Sequence, residues 1–155
     1  MADILAKFGA DAALTITLNS LANDAVREST VVNNSANLRL DSLIVLIIVT
    51  GASGVSSTGF IEIYGYGSID DGTTYTDAAT GADAVLTTLK NARLVAVASC
   101  NANGTTYNLG PYNVAVAFGG ILPEYWGIFV KNRTGAALAA AGNSARAQGV
   151  YAQTS

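Results

Sequence analysis

The sequence predicts an all-β protein, a single-domain, two-sheet β-sandwich of the jelly-roll type with about nine or ten short strands. Three observations predict it. Several short stretches alternate between apolar and polar residues, turn-forming Gly, Asn and Asp separate them at irregular intervals, and no long stretch keeps a helical period. We favour a jelly roll because the strands are short and unevenly spaced.

The strongest predicted strand covers residues 43–49, where every residue is Leu, Ile or Val. This run is mostly β-branched, which favours a strand, and it is far shorter than the roughly 20 residues that a membrane span needs. Its alternate side chains are apolar on both faces. We therefore expect cover on both faces, one from the core and the other from a second layer of this chain or of a neighbour.

Before this strand, residues 1–12 are predicted to form an arm or a helical turn, and residues 13–155 the sandwich. Ile4, Leu5 and Phe8 are spaced so that they could share a helical face. Residues 13–18 alternate cleanly and predict a half-buried strand, and residues 26–32 predict the next.

After the central strand, residues 51–59 are a Gly/Ser-rich loop, and an Asp71-Gly72 turn predicts a hairpin. Gly110-Pro111 is expected to end one strand, and an alternating pattern predicts that Val114, Val116 and Phe118 point inward. The strands predicted in this half are residues 60–68, 85–89, 93–99, 105–109, 112–118, 125–131 and 149–153.

The composition predicts a surface made for contact. Charged residues make up 12% of the chain, about half the usual fraction, and the net charge is −3. A surface of small neutral residues loses little free energy on desolvation. We therefore expect other protein to cover much of it, in preference to a monomer with a neutral surface.

The sequence argues against nucleic acid and membrane as partners. Lys and Arg are scattered, so no nucleic-acid contact is predicted, and no segment suggests a membrane span or a secretory signal. Assembly in a cytosol is the expected default. The single cysteine, Cys100, cannot form an internal disulfide and is predicted to be a small buried residue.

The chain is predicted not to be an enzyme and to hold no cofactor or metal. It has no histidine, which removes the commonest general base and metal ligand. A glycosidase pair of Glu62 with Asp41 or Asp77 is formally possible, but carboxylates on a sandwich are mostly solvated. Asp70, Asp71 and Asp77 could contribute oxygen ligands to Ca²⁺, yet they are better explained as turn formers.

The aromatic residues allow two interpretations. A sugar-stacking platform is one, and half-buried sheet or interface residues are the other, which we favour. The residues concerned are Tyr64, Tyr66, Tyr75, Tyr107, Tyr112, Tyr125 and Trp126.

Three groups of segments resemble small virion proteins of tailed bacteriophages, whose β-sandwich relatives decorate, or cement, the capsid. The first is NDAVRES at residues 23–29. The second is IYGYGS at 63–68 with DGTTYTD at 71–77. The third is LPEYWGI at 122–128 with NRTG at 132–135. The resemblance spans most of the chain after residue 20, and it brings no catalytic residues.

The resemblance implies a capsid decoration protein that binds the major capsid protein on the virion surface after assembly in the host cytoplasm. With the low charge, it suggests a homo-oligomer, for which we expect a trimer. The alternatives are a neck or tail protein that binds a receptor or glycan, and a non-viral carbohydrate-binding module or enzyme. Because loops at sandwich ends commonly carry contacts, the candidate contact residues are Phe8, Val55, Asp70, Asp71, Tyr75 and Asp77.

Overall fold

The computed structural model describes residues 3–154, which form ten β-strands in two antiparallel sheets and two short 3₁₀ helices. The predicted all-β sandwich is confirmed. The strands are β1 (Ile4–Ala13), β2 (Val26–Glu28), β3 (Val32–Asn33), β4 (Asp41–Val49), β5 (Phe60–Ser68), β6 (Ala84–Leu86), β7 (Arg93–Ser99), β8 (Thr106–Asn113), β9 (Tyr125–Arg133) and β10 (Ser144–Thr154). The 3₁₀ helices are Thr76–Ala78 and Val114–Phe118.

The strand order is that of a jelly roll. One sheet runs β1-β10-β4-β8, and the other runs β6-β2-β9-β5-β7, with β3 added to β9. Several consecutive strands, such as β4 and β5 or β9 and β10, lie in opposite sheets, so the chain repeatedly crosses from one layer to the other. The four-stranded sheet therefore joins strands from both ends of the described chain.

The main core lies between the two sheets, and β4 contributes its centre. Ile44, Leu46 and Ile48 are at most 1% exposed, as the alternation of the sequence predicts for one face. The opposing sheet contributes apolar side chains of β5 and β9, and Cys100 is buried as predicted. Those residues include Ile61, Ile63, Trp126, Ile128 and Val130.

A second apolar cluster covers the outer face of the six-stranded sheet. The Tyr66 ring stacks on Phe129 at 4.6 Å between centroids, and its hydroxyl donates to the Ser29 carbonyl at 2.5 Å. Residues 75–92 lie over this cluster and contribute Tyr75, Ala79 and Leu86 among others. The chain thus supplies its own cover for the outside of this sheet.

A buried carboxylate fastens this cover to the sheet. Glu28, on β2, is 1% exposed and accepts hydrogen bonds from the backbone N–H of Thr80 at 2.9 Å and from its hydroxyl at 2.7 Å. Buried charged groups need such partners because desolvation without them costs several kcal/mol. The segment around Thr80 is therefore positioned by the sheet below it.

Gly127 provides room for the Tyr66 ring. A Cβ built on Gly127 would lie 2.6 Å from the Tyr66 hydroxyl oxygen and closer still to its ring carbons. We expect Gly127→Ala to lower the free energy of unfolding by about 1–3 kcal/mol, because overpacking forces side chains and backbone to shift. Urea denaturation of both proteins measures this.

A double-mutant cycle with Tyr66→Leu checks the cause. In the background of the Tyr66→Leu variant, the substitution of Gly127 should cost clearly less than in the wild type. An equal cost in both backgrounds would show that the tyrosine ring is not what Gly127 accommodates.

The prediction of a strand at residues 112–118 is wrong beyond Asn113. Residues 114–118 form a 3₁₀ helix, so Val114 is buried but Val116 is 57% exposed. The helix packs closely against β5 at Gly65, where a Cβ would lie only 2.6 Å from the Cβ of Ala117. The glycine in this strand therefore permits the close approach of the helix.

Three further details differ from the prediction. Residues 14–18 bury Leu14, Ile16 and Leu18 in alternation but form no strand, and the N–H of Thr17 donates to the Asp83 carboxylate. β8 continues through Gly110 and Pro111, where a register shift lets the strand pass. The Asp71-Gly72 turn is present, but β5 pairs with β7 and β9 and makes no hairpin with the residues that follow the turn.

Candidate interaction surface

The outer face of the four-stranded sheet is the side of β4 opposite the core. Val45 and Ile47 are 40% and 38% exposed there, and Leu43 and Val49 are half-buried. The neighbouring strand β10 adds Gln148 and Arg146, whose guanidinium pairs with Asp11 of β1. The expected second layer over this face is not supplied by residues 3–154, in contrast to the six-stranded sheet.

At one end of this sheet, β1 and the last part of β10 continue as a two-stranded ribbon. Pairing runs from Phe8 with Val150 to Ile4 with Thr154, whereas β4 begins at Asp41 opposite Val150. The sequence predicts an arm or a helical turn over residues 1–12, and residues 4–12 belong to strand β1. The part of that prediction on residues 1 and 2 lies outside the described residues.

Three loops meet beside this ribbon: residues 34–40, 69–76 and 114–124. The N–H of Leu122 donates to the Leu40 carbonyl at 3.0 Å, and the Tyr125 hydroxyl donates to Asp71 at 2.8 Å. The N–H of Leu40 donates to the Val150 carbonyl at 2.8 Å, which ties these loops to the ribbon. We call the three loops, with residues 4–8 and 150–154, the ribbon end.

The ribbon end concentrates exposed apolar side chains. Ile69 is 86% exposed, Leu38 76% and Ile121 66%. Within residues 3–154, eight of the thirteen exposed large apolar side chains lie at this end: Ile4, Leu5, Phe8, Leu38, Leu40, Ile69, Val116 and Ile121. Such a concentration on a folded domain marks a contact surface, whereas scattered single residues do not.

The opposite end is polar and tied together by hydrogen bonds. Its loops are residues 51–59, 100–105 and 134–143, and none contributes to those thirteen side chains. The N–H of Gly104 donates to the Gly51 carbonyl, and that of Val55 donates to Asn103 Oδ1 at 2.9 Å. The structure therefore places Val55 far from the other candidates, at the end that lacks an apolar surface.

Asp70 and Asp71 shape the loop of residues 69–76. Asp70 accepts hydrogen bonds from the Ser68 hydroxyl and from the N–H of Thr74, and these donors lower its pKa to about 2. Asp71 accepts a hydrogen bond from the Tyr125 hydroxyl. Both carboxylates thus have structural partners, as expected of turn-forming residues.

An open cleft of about 650 Å³ lies next to this loop. Tyr75, Phe118 and Pro123 are among the residues of its apolar wall, and Asp70 and Thr74 contribute polar groups. Tyr75 also packs edge-on against Tyr66 at 5.7 Å. Of the candidate contact residues, Asp70 and Tyr75 line this cleft, and Phe8 lies on the neighbouring ribbon.

Asp77 has a different role from Asp70. Its carboxylate accepts hydrogen bonds from the backbone N–H groups of Lys90, Asn91 and Ala92 at 2.9–3.0 Å. Partial burial acts to raise its pKa, but these donors outweigh that effect and hold the pKa below its usual value. Asp77 thereby holds residues 90–92, the last part of the segment that covers the outer face of the six-stranded sheet.

We expect this fastening to weaken in acid. A lowered folded-state pKa adds stability that is fully present above the unfolded pKa of about 3.9 and is lost as the pH falls through the folded value. Hydrogen exchange of the amides of residues 90–92 should therefore accelerate below about pH 4, beyond the change in the intrinsic rate. Asp77→Asn, which tolerates the left-handed backbone at this position (φ 56°), should remove that pH dependence.

The residues of the other arrangements that the sequence left open lie in different parts of the fold. Among residues 3–154 no group of three His, Cys, Asp or Glu side chains could hold a metal ion. Asp41 lies on the four-stranded sheet and Glu62 on the other, while Asp77 is engaged by backbone groups. The aromatic residues form no common platform, since Tyr66 and Trp126 are fully buried.

Sequence reasoning missed three of the four most exposed apolar residues of the surface, Leu38, Ile69 and Ile121. Each is an apolar residue within a turn or loop, next to polar or glycine residues. An apolar residue within a turn or loop was the available signal. No helix among residues 3–154 has the length and hydropathy to cross a membrane.

Fold and surface together define a jelly-roll sandwich with one apolar end. Comparison of the chain with family models, curated protein sequences and solved structures gave no match. The resemblance to bacteriophage virion proteins therefore stays a prediction.

Proposed function

We propose that this protein is a non-enzymatic virion structural protein, a capsid decoration protein that binds the major capsid protein and stabilises the head. The carrying observation is the concentration of exposed apolar side chains at the ribbon end. In this proposal the ribbon end meets the capsid lattice, and the polar end faces outward. The protein is made in the host cytoplasm and resides on the capsid surface.

The energetics support an attachment role. Burying one exposed isoleucine side chain contributes roughly 1.5–3 kcal/mol, and the ribbon end presents several large apolar side chains together. Five charged residues, Lys7, Arg39, Asp70, Asp71 and Glu124, belong to the ribbon end, and their desolvation would offset part of this gain. Many copies on one lattice would make even moderate single contacts effective.

The test is binding of purified protein to capsids that lack it. We expect saturable binding with a fixed ratio to the major capsid protein, measured by quantitative mass spectrometry, and a higher temperature of capsid disruption. A copy number that matches only the neck or tail would contradict the lattice assignment. Absence of binding to any part of the particle would contradict the proposal as a whole.

The cleft beside residues 69–76 favours a second candidate, a neck or tail protein that binds a glycan receptor. Tyr75 offers an aromatic face, while Asp70, Thr74 and Thr76 offer hydrogen-bonding groups beside it. A glycan array tests this candidate. Specific binding that is lost in Tyr75→Ala and kept in Tyr107→Phe would support it, and no binding would exclude it.

A further inference from the structure

The ribbon leaves strand edges without partners. Within residues 3–154, β10 lies between β1 and β4 as far as Val150, but residues 151–154 pair with β1 alone. β1 pairs only with β10 along its whole length. A two-stranded segment is marginally stable in water, and an open edge is a template for pairing with another strand.

Proteins usually protect such edges with a bulge or a lysine, and β1 has both. Its register shifts between Phe8 and Asp11, which leaves residues 4–8 as a regular segment. Lys7 is the one charged residue of that segment and forms no ion pair among the described residues. A lysine opposes pairing unless the incoming strand carries an acidic residue opposite it.

The chain itself carries that acidic residue. Asp3 lies four positions before Lys7, so the two side chains lie on the same side of the extended chain, together with Leu5 between them. If two copies of β1 run antiparallel with Leu5 opposite the partner's Leu5, Lys7 faces the partner's Asp3. The two-fold symmetry creates this pair twice and places Ile4 opposite the partner's Ala6.

We propose that two copies of this protein associate through their β1 strands, paired antiparallel about Leu5. The result is a continuous four-stranded sheet in the order β10-β1-β1-β10, which gives residues 3–7 of the open β1 edge a partner in both copies. One face of this sheet carries Ile4 and Phe8 of both copies, which extends the apolar surface. The association is two-fold, in place of the trimer that the resemblance suggests, and it does not depend on a capsid partner.

A charge-exchange experiment on the full chain tests the proposal. Wild-type protein should sediment as a dimer in analytical ultracentrifugation. Lys7→Glu alone and Asp3→Lys alone should each dimerise about 10- to 100-fold more weakly, because each change replaces two opposite-charge pairs with like-charge pairs. An equimolar mixture of the two variants should form heterodimers at near wild-type affinity, since every pair is again opposite in charge.

Circular dichroism of each variant shows whether it is folded, and rescue in the mixture shows it independently. The matched control is a mixture of Lys7→Glu with Asp11→Lys, which should not restore association. Restoration by that control would mean that Lys7 faces the partner's Asp11, and it would overturn the register. A monomeric or trimeric wild type, or no rescue in the first mixture, would overturn the proposal.

Discussion

Replacing both Ile69 and Ile121 with Asp should abolish attachment to capsids while leaving the fold intact. These side chains are 86% and 66% exposed, so the sandwich does not need them for its own packing. Their burial in a complex should contribute about 3 kcal/mol together, and two carboxylates in the contact would add a desolvation cost. The expected loss of affinity exceeds about a hundredfold, measured by co-sedimentation with capsids.

Val85→Asp with Val97→Asp is the matched control. Both valines are more than half exposed, but they lie on strands of the six-stranded sheet and outside the ribbon end. The control pair should bind capsids as the wild type does and should still fold, at a somewhat lower stability because position 97 lies opposite Glu62. Equal loss of binding in both pairs would show that general surface hydrophobicity, not the ribbon end, controls attachment.

Asn132→Ala should lower the free energy of unfolding by about 2–4 kcal/mol. This amide on β9 is fully buried, and its Nδ2 donates to the carbonyls of Leu21 and Ala136 at 2.8 Å. Its Oδ1 accepts from the N–H and the hydroxyl of Thr134 at 3.0 and 2.8 Å. The substitution removes four hydrogen bonds that join two loops to the strand, and it leaves buried polar groups with fewer partners.

Asn108→Ala provides the comparison for urea denaturation. Asn108 is exposed on β8, so its removal should change the stability by less than about 0.5 kcal/mol. A small effect at Asn132 as well would show that water or neighbouring groups replace the lost hydrogen bonds. Other contacts would then stabilise the polar end of the sandwich, opposite the ribbon end.

The pattern of apolar residues in the sequence identified four of the central strands. β4, β5, β7 and β9 were predicted at nearly their observed bounds, β4 from its continuous run of Leu, Ile and Val. Residues 14–18 show a strand-like alternation without a ladder partner. Burial pattern alone cannot distinguish an extended segment fastened by a side chain, here Asp83, from a paired strand.

Sequence reasoning located only part of the ribbon end. Loops at sandwich ends were the expected location of contacts, and Phe8, Asp70, Asp71 and Tyr75 lie at or beside the ribbon end. Val55 belongs to the other end, because the alternation of strands between sheets sends its loop there. Which loops share an end depends on topology, and local sequence carries no information about it.

The place of β10 between β1 and β4 has a consequence for biosynthesis. β1 has no partner other than β10 in the described chain, and their paired residues run from Ile4 with Thr154 to Ala13 with Arg146. Contacts at such sequence separation form late and slowly in folding. A ribosome must therefore have made residues 144–154 before β1 can take its place. A nascent chain would therefore not form the paired ribbon until the whole sandwich can close. Assembly through the ribbon could then not begin before folding is complete.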